Sequence, residues 1–179
     1  MSLLIHACCA PCLTYTYKYF KNNYDGNLSV FWYNPNIHPF KEYERRLRAL
    51  IDYQKSTGAD VIYVDKYNLE MFLEKAVNNE SRCKVCYQMR LSKAAEIAKE
   101  NDFEAYTTTL TISPYQDHEL IRKIGEKEGN KNSLNFIYKD LTDGFYESHE
   151  IANEMGLYKQ GYCGCIFSER DRYEQKIID

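Results

Sequence analysis

Glycine and proline are scarce, at 8 and 4 of 179 residues, which excludes a linker, a collagen-like repeat or a low-complexity chain. No self-similarity of solenoid period is present. No stretch approaches the roughly 20 consecutive apolar residues that a membrane span needs. The apolar run at residues 1–5 is too short for a secretory signal and lacks a basic start. The expectation is therefore a cytoplasmic protein with no membrane partner. An excess of basic charge is missing too: the net charge is −3, and a general nucleic-acid binder is usually basic. Any RNA contact must then use a local patch. Candidates are Lys41, Arg45, Arg46 and Arg48, and the group Arg82, Lys84 and Arg90. The first set is also readable as a solvated helix face balanced by Glu42 and Glu44. Finally, no G-x-x-x-x-G-K phosphate loop occurs.

What the chain does have is 7 cysteines and 17 tyrosines. Its length fits one domain, residues 1–179, with a sizeable core. Strands are expected over 3–7, 28–33, 61–64, 105–108 and 135–138. Helices are expected over 13–23, with Pro11 in the first turn, and over 41–57, stopped by Gly58. Further helices are expected over 69–77, from the 81–86 segment to about 100, over 116–127 and over 145–155. A last helix should open at 162–165 and end near Ile178. In the 81–100 helix, Leu91, Ala94, Ala95 and Ala98 should face inward. Alternating strands and helices imply an α/β domain with a mainly parallel sheet. Ligands of such sheets bind at the carboxyl ends of the strands, near the switch point. Topology would bring the unusual loops 7–12, 34–40 and 109–116 to that side.

All seven cysteines fall in three groups: Cys8, Cys9 and Cys12; the C-x-x-C of Cys83 and Cys86; and the C-x-C of Cys163 and Cys165. A reducing compartment makes structural disulfides rare. Each group stands at an expected helix start, where anions are favoured and thiol pKa falls. Gly164 removes the side chain that would crowd the C-x-C turn. Metal or redox chemistry follows. Spacing alone leaves three options open: a zinc site, a 4Fe–4S cluster with three thiolates left for a second iron or redox work, and a metal-free dithiol–disulfide centre. Adjacent Cys8 and Cys9 are expected to point apart and to split between two sites.

Five segments in order resemble the QueH family of epoxyqueuosine reductases. They are HACCAPC (6–12), YNPNIHPFKEYERR (33–46), RCKVCYQMRL (82–91), TTLTISPYQD (108–117) and YKQGYCGCIFS (158–168). Gly161 departs from the expected pattern in the last segment without removing a cysteine. The resemblance implies a HUP-like, PP-loop hydrolase-like fold and bound iron–sulfur. It also implies reduction of an epoxide on a modified tRNA wobble base to an alkene. In this sequence the place of a phosphate loop, after the first strand, is taken by residues 8–12.

Site roles are assigned on that basis. Metal ligands are drawn from Cys8, Cys9, Cys12, Cys83, Cys86, Cys163 and Cys165, with Cys12 also placed among the catalytic residues as a surplus thiol. Asp117 is the candidate acid or extra ligand, or else a first-turn helix residue. Substrate contacts are sought in Asn34, Asn36, His38, Arg45, Arg46, Arg82 and Tyr115. Tyr33, Tyr43 and Tyr162 are further surfaces for a stacked base. His6 reads as a satisfied core histidine, His118 as pointing elsewhere, and His149 as a surface residue. The electron donor has no signature in the sequence.

Overall fold

The computed structural model describes residues 1–174. Leu3, Leu4, Ile5 and His6 are wholly buried, because the strand they form, β1 (Ser2–His6), lies in the middle of a sheet covered on both faces. Side chains alternate across it: Leu3 and Ile5 join the core on one face, and Leu4 joins the other. The remaining strands are β2 (Asn27–Trp32), β3 (Asp60–Tyr63), β4 (Ala105–Thr108) and β5 (Asn135–Phe136). They pair in the order β3-β2-β1-β4-β5, all parallel. The expected α/β architecture with a parallel sheet is what is found. The fifth strand is shorter than expected, although Ile137 still donates its N–H to the Tyr106 carbonyl at 2.9 Å.

Helices α1 (Ala10–Asn23), α2 (Phe40–Thr57) and α6 (Phe145–Glu154) cover one face, contributing Leu13, Phe20, Tyr43, Leu50 and Ala152 to its core. Helices α4 (Arg82–Glu100) and α5 (His118–Asn132) cover the other. Leu91, Ala94, Ala95 and Ala98 of α4 are inward, fully buried. Gly58 ends α2 in the left-handed conformation with φ 70°, as its position requires. Helix α5 starts at His118, not 116, because Asp117 is its N-cap, and it runs on to Asn132. Gly125 lets it continue against β5: a Cβ there would come within 2.4 Å of the Phe136 ring.

The short helix α3 (Leu69–Val77) sets Phe72 and Ala76 against Cys86. Helix α7 (Ile166–Tyr173) begins after the C-x-C pair; Cys165 is its N-cap, and residues 162–164 precede it. Its expected end near Ile178 lies outside the described residues. Between β1 and β4 the order in which strands are added reverses, and the loops that leave those strands diverge there.

Candidate metal centre

The first sulfur group is built by the turn from β1 into α1. Pro11 lies in the first turn of α1, and Cys9 is the N-cap, with extended backbone and a side chain that accepts from the Cys12 N–H at 3.3 Å. Cys8 Sγ and Cys9 Sγ are 3.9 Å apart, and the sulfurs of Cys8, Cys9 and Cys12 all lie within 4.8 Å of one another. The expectation that Cys8 and Cys9 point apart is corrected here. Strand alternation ends with β1 at His6, so it does not govern the bend that follows.

Thr109, the residue just after β4, ties this turn across the switch point. Its hydroxyl accepts from the Cys8 N–H at 2.9 Å and donates to Cys8 Sγ at 3.1 Å. Gln160 donates from Nε2 to Cys9 Sγ at 3.1 Å. The thiols of Cys12 and Cys9 hydrogen-bond to Cys8, with Thr109 and Arg90 adding to the effect, and hold its pKa well below the usual range. Burial pushes Cys9 up, and the bond to Cys8 pushes Cys12 up. The three sulfurs thus compete, and the hydrogen bonds favour the charged form at Cys8 over Cys9 and Cys12. A cation among them would remove that competition.

The second group joins the start of α4 to the loop before α7. Cys83 is exposed and Cys86 buried, Cys163 is exposed, and Cys165 is half-buried and caps α7 through the Ser168 N–H. The C-terminal loop is tied by a buried arginine. Arg46 is 2% exposed, pairs with Glu42 Oε1 at 2.7 Å, and donates to the carbonyls of Cys163 at 2.8 Å and Tyr162 at 3.0 Å. Tyr158 donates to the other Glu42 oxygen. His38 N–H donates to the Gly164 carbonyl at 2.8 Å, and Tyr162 OH to the His38 carbonyl. Gly164 has φ 146°, and a Cβ on it would sit 3.0 Å from Arg46 Nη1. The crowding expected at this turn is therefore real. Burial pushes the Cys86 thiol up to about 12, with neighbouring Cys163, Cys165 and Cys83 adding to the rise and Arg90 opposing it. Among the described residues only Cys8, Cys9 and Cys12 stand close enough together to share one ion.

The other site candidates divide. Asn34, Asn36 and His38 lie at the mouth but are buried beneath its surface, at 0%, 2% and 1% exposure. Asn34 donates to the Ala7 carbonyl at 2.9 Å. The side-chain oxygens of Asn34 and Asn36 and both ring nitrogens of His38 have no protein partner. Asp117 accepts from the Leu120 N–H at 2.9 Å and is exposed. Tyr115 is 82% exposed against the Phe145 ring. Arg82 pairs with Asp171 and lies over Phe167. Arg45 is exposed beside Tyr158.

The expectation that Arg46 and Arg90 serve surface RNA patches is corrected. Both are buried, Arg46 by its ties to Glu42 and the C-terminal loop, and Arg90 against Cys86. Arg48 is held by Glu44. His6 is a satisfied core histidine, between Thr108 Oγ1 at 2.9 Å and the Tyr33 carbonyl at 3.2 Å. His118 bonds Tyr138 OH and the Ser113 carbonyl, away from the sulfurs. His149 is half-buried, its ring tilted against that of Phe145, rather than lying free on the surface.

Three contacts were not foreseen: Thr109, Gln160 and Gln116, whose Nε2 reaches Cys163 Sγ at 3.6 Å while its Oε1 accepts from Tyr87 OH at 2.9 Å. All three stand inside the motif segments 108–117 and 158–168, which is the signal that points to them.

Sulfurs gathered at the carboxyl ends of a parallel sheet, beside a buried guanidinium, define an α/β protein built for thiolate–metal or thiol redox chemistry. A family model described as "Epoxyqueuosine reductase QueH" matches residues 3–171. The chain belongs to the epoxyqueuosine reductase QueH family. A relative of that name from Dehalococcoides mccartyi is 37% identical over 172 residues, covering 96% of this chain and 94% of its own. Another from Thermotoga maritima is 32% identical over 185 residues, covering 97% and 93%. One from Staphylococcus epidermidis is 32% identical over 181 residues, covering 93% and 75%. Among solved structures, one described as a predicted subunit of tRNA methyltransferase from Methanocaldococcus jannaschii aligns with a TM-score of 0.50. It is 12% identical and covers 86% of this chain and 75% of its own, a likeness of fold alone.

Proposed function

We propose that this chain, acting as one domain over residues 1–179, reduces epoxyqueuosine to queuosine at the wobble position of tRNA. The observation that carries this reading is the convergence of thiols on the mouth of the sheet in a chain of this family. Opening the epoxide to an alkene takes two electrons and two protons and releases the oxygen as water. Side chains alone supply two electrons only by consuming a thiol pair.

The cysteines are numerous enough for a 4Fe–4S cluster with a second iron beside it. Cys8, Cys9, Cys12, Cys83, Cys86, Cys163 and Cys165 offer more thiolates than the four a cluster takes. Sulfurs sharing one tetrahedral ion at about 2.3 Å lie roughly 3.8 Å apart, close to the Cys8–Cys9 spacing of 3.9 Å. Bound there, iron–sulfur would relay electrons from an external donor, and an iron would polarise the epoxide oxygen.

The chain's own residues do the rest. Thr109 and Gln160 aim donors at Cys8 and Cys9, and Arg46 fixes the backbone of Cys163. Asp117 is exposed next to Gln116, the residue that reaches Cys163, and is assigned the proton-donating role; Cys12 is assigned to the substrate side. The unpartnered oxygens of Asn34 and Asn36 are acceptors for base or diol donors, and Tyr115 offers an exposed ring for stacking. Arg45 and Arg82 remain as cations for the RNA backbone.

The test is metal and sulfide analysis of anaerobically purified protein, paired with conversion of epoxyqueuosine-containing tRNA under a chemical reductant. Iron with acid-labile sulfide and product formation are expected. Stoichiometric zinc without sulfide in a fully active sample would overturn the reading in favour of a zinc or thiol–disulfide protein.

A further inference from the structure

Among the described residues two arginines are buried, and their surroundings differ. Arg46, 2% exposed, has the Glu42 carboxylate. Arg90, also 2% exposed, has no carboxylate within ion-pairing distance among the described residues. Its Nη2 donates to Cys86 Sγ at 3.0 Å, its Nε donates to the Cys86 carbonyl at 3.3 Å, and its Cζ lies 6.0 Å from the centre of the Tyr87 ring. A guanidinium cannot shed its proton in a protein, and burying it without an anion is costly. Burial works against its charge, and the groups that favour the charge are Cys86, Cys163, Cys8 and Tyr87. The sulfur it touches is that of Cys86, and Cys163 and Cys8 lie near enough to favour its charge.

We propose that Arg90 tunes the metal centre through its charge: buried with Nη2 3.0 Å from Cys86 Sγ, it sets one positive charge beside the candidate ligands and raises the electron affinity of the iron–sulfur group held there. This rests on the iron–sulfur reading above. An added electron makes such a centre more negative, and a fixed cation 3.0 Å from one of its candidate ligands stabilises that state. A lysine would keep the charge and lose the fork. A glutamine would keep a donor near the sulfur and lose the charge.

The test compares R90K and R90Q with the wild-type protein, all purified without oxygen. Iron and sulfide content are measured first, then the reduction potential by spectroelectrochemistry. R90Q is expected to be harder to reduce by about tenfold in the reduction equilibrium, about 59 mV for one electron, with R90K close to wild type. An R90Q protein that loses iron and sulfide while R90K keeps both supports the same conclusion, since charge is then needed for loading. A fully loaded R90Q with wild-type potential overturns the proposal. So does an R90K protein that fails as R90Q fails, because the role is then one of shape. Wild-type protein with no iron or sulfide refutes the iron–sulfur reading instead, before any variant is compared.

Discussion

The turn after β1 is fixed by the sheet, whereas the loop carrying Cys163 and Cys165 is tied down by side chains. Cys8 and Cys9 follow directly from a wholly buried central strand and are pinned by the Thr109 hydroxyl and by capping of α1. Cys163 is exposed, and its position depends on the Arg46–Glu42 pair and on one glycine that no side chain can replace without crowding. The first arrangement is inherited from the fold; the second must be assembled from distant parts. Perturbing the tethers should therefore loosen one sulfur group and leave the other in place.

The largest effects are expected from the thiols themselves. Single Cys→Ser changes at the seven positions should sort into two classes. One should lose iron, colour and activity together; the other should keep the colour and lose epoxide reduction. Equal bleaching at every position, or three silent positions, would erase the distinction between cluster ligands and surplus thiols.

Next comes Glu42→Gln, which removes the anion from a buried pair. It should cost about 3–5 kcal/mol in denaturant unfolding. It should also speed alkylation of Cys163 while Cys8, Cys9 and Cys12 react as before. Uniform speeding at all four would show that the two regions are one cooperative unit.

Gly164→Ala should cost about 1–3 kcal/mol, from strain at φ 146° and contact with Arg46. Its mark is selective loss of order in the C-terminal loop, measurable by hydrogen exchange. On the sheet side, Thr109→Val should cost only about 1 kcal/mol, the net worth of its hydrogen bonds. A larger loss there than at Gly164 would reverse the comparison. The smallest effect is expected from neutralising Arg45 and Arg48 together. Since Arg48 is paired with Glu44 and Arg46 is buried, the salt dependence of tRNA binding should become only slightly shallower. A steep change would restore this helix as the main RNA contact.

The same contrast explains what could be read in the sequence. The sheet side is local information: the 3–7 apolar run, Pro11 in the first turn of α1, and Gly58 as a left-handed stop all have one dominant structural reading, and each is found. The inward face of α4 is legible for the same reason, since Leu91, Ala94, Ala95 and Ala98 keep helical spacing. Nothing local says that Arg46 turns in to meet a carbonyl 117 positions away, or that Arg90 donates to a buried sulfur. A basic residue on a charged helix looks the same in sequence whether it faces RNA or the core. Gln116 and Gln160 were hidden differently. Their amides acquire meaning only once the thiols they touch are brought alongside.

Those long ties also set an order of events during folding. Gln160 reaches Cys9 across 151 positions, Arg46 reaches Cys163 across 117, and Thr109 reaches Cys8 across 101. Contacts of such separation close late, after the local helices have formed, because the chain entropy lost in closing them must be met before they stabilise anything. Until then the thiols are neither shielded by the loop nor drawn toward one metal, and free thiolates are open to oxidation. The Cys163 and Cys165 side of the site, which depends on these distant ties, is thus the part whose thiols should be most exposed to oxidation while the chain folds.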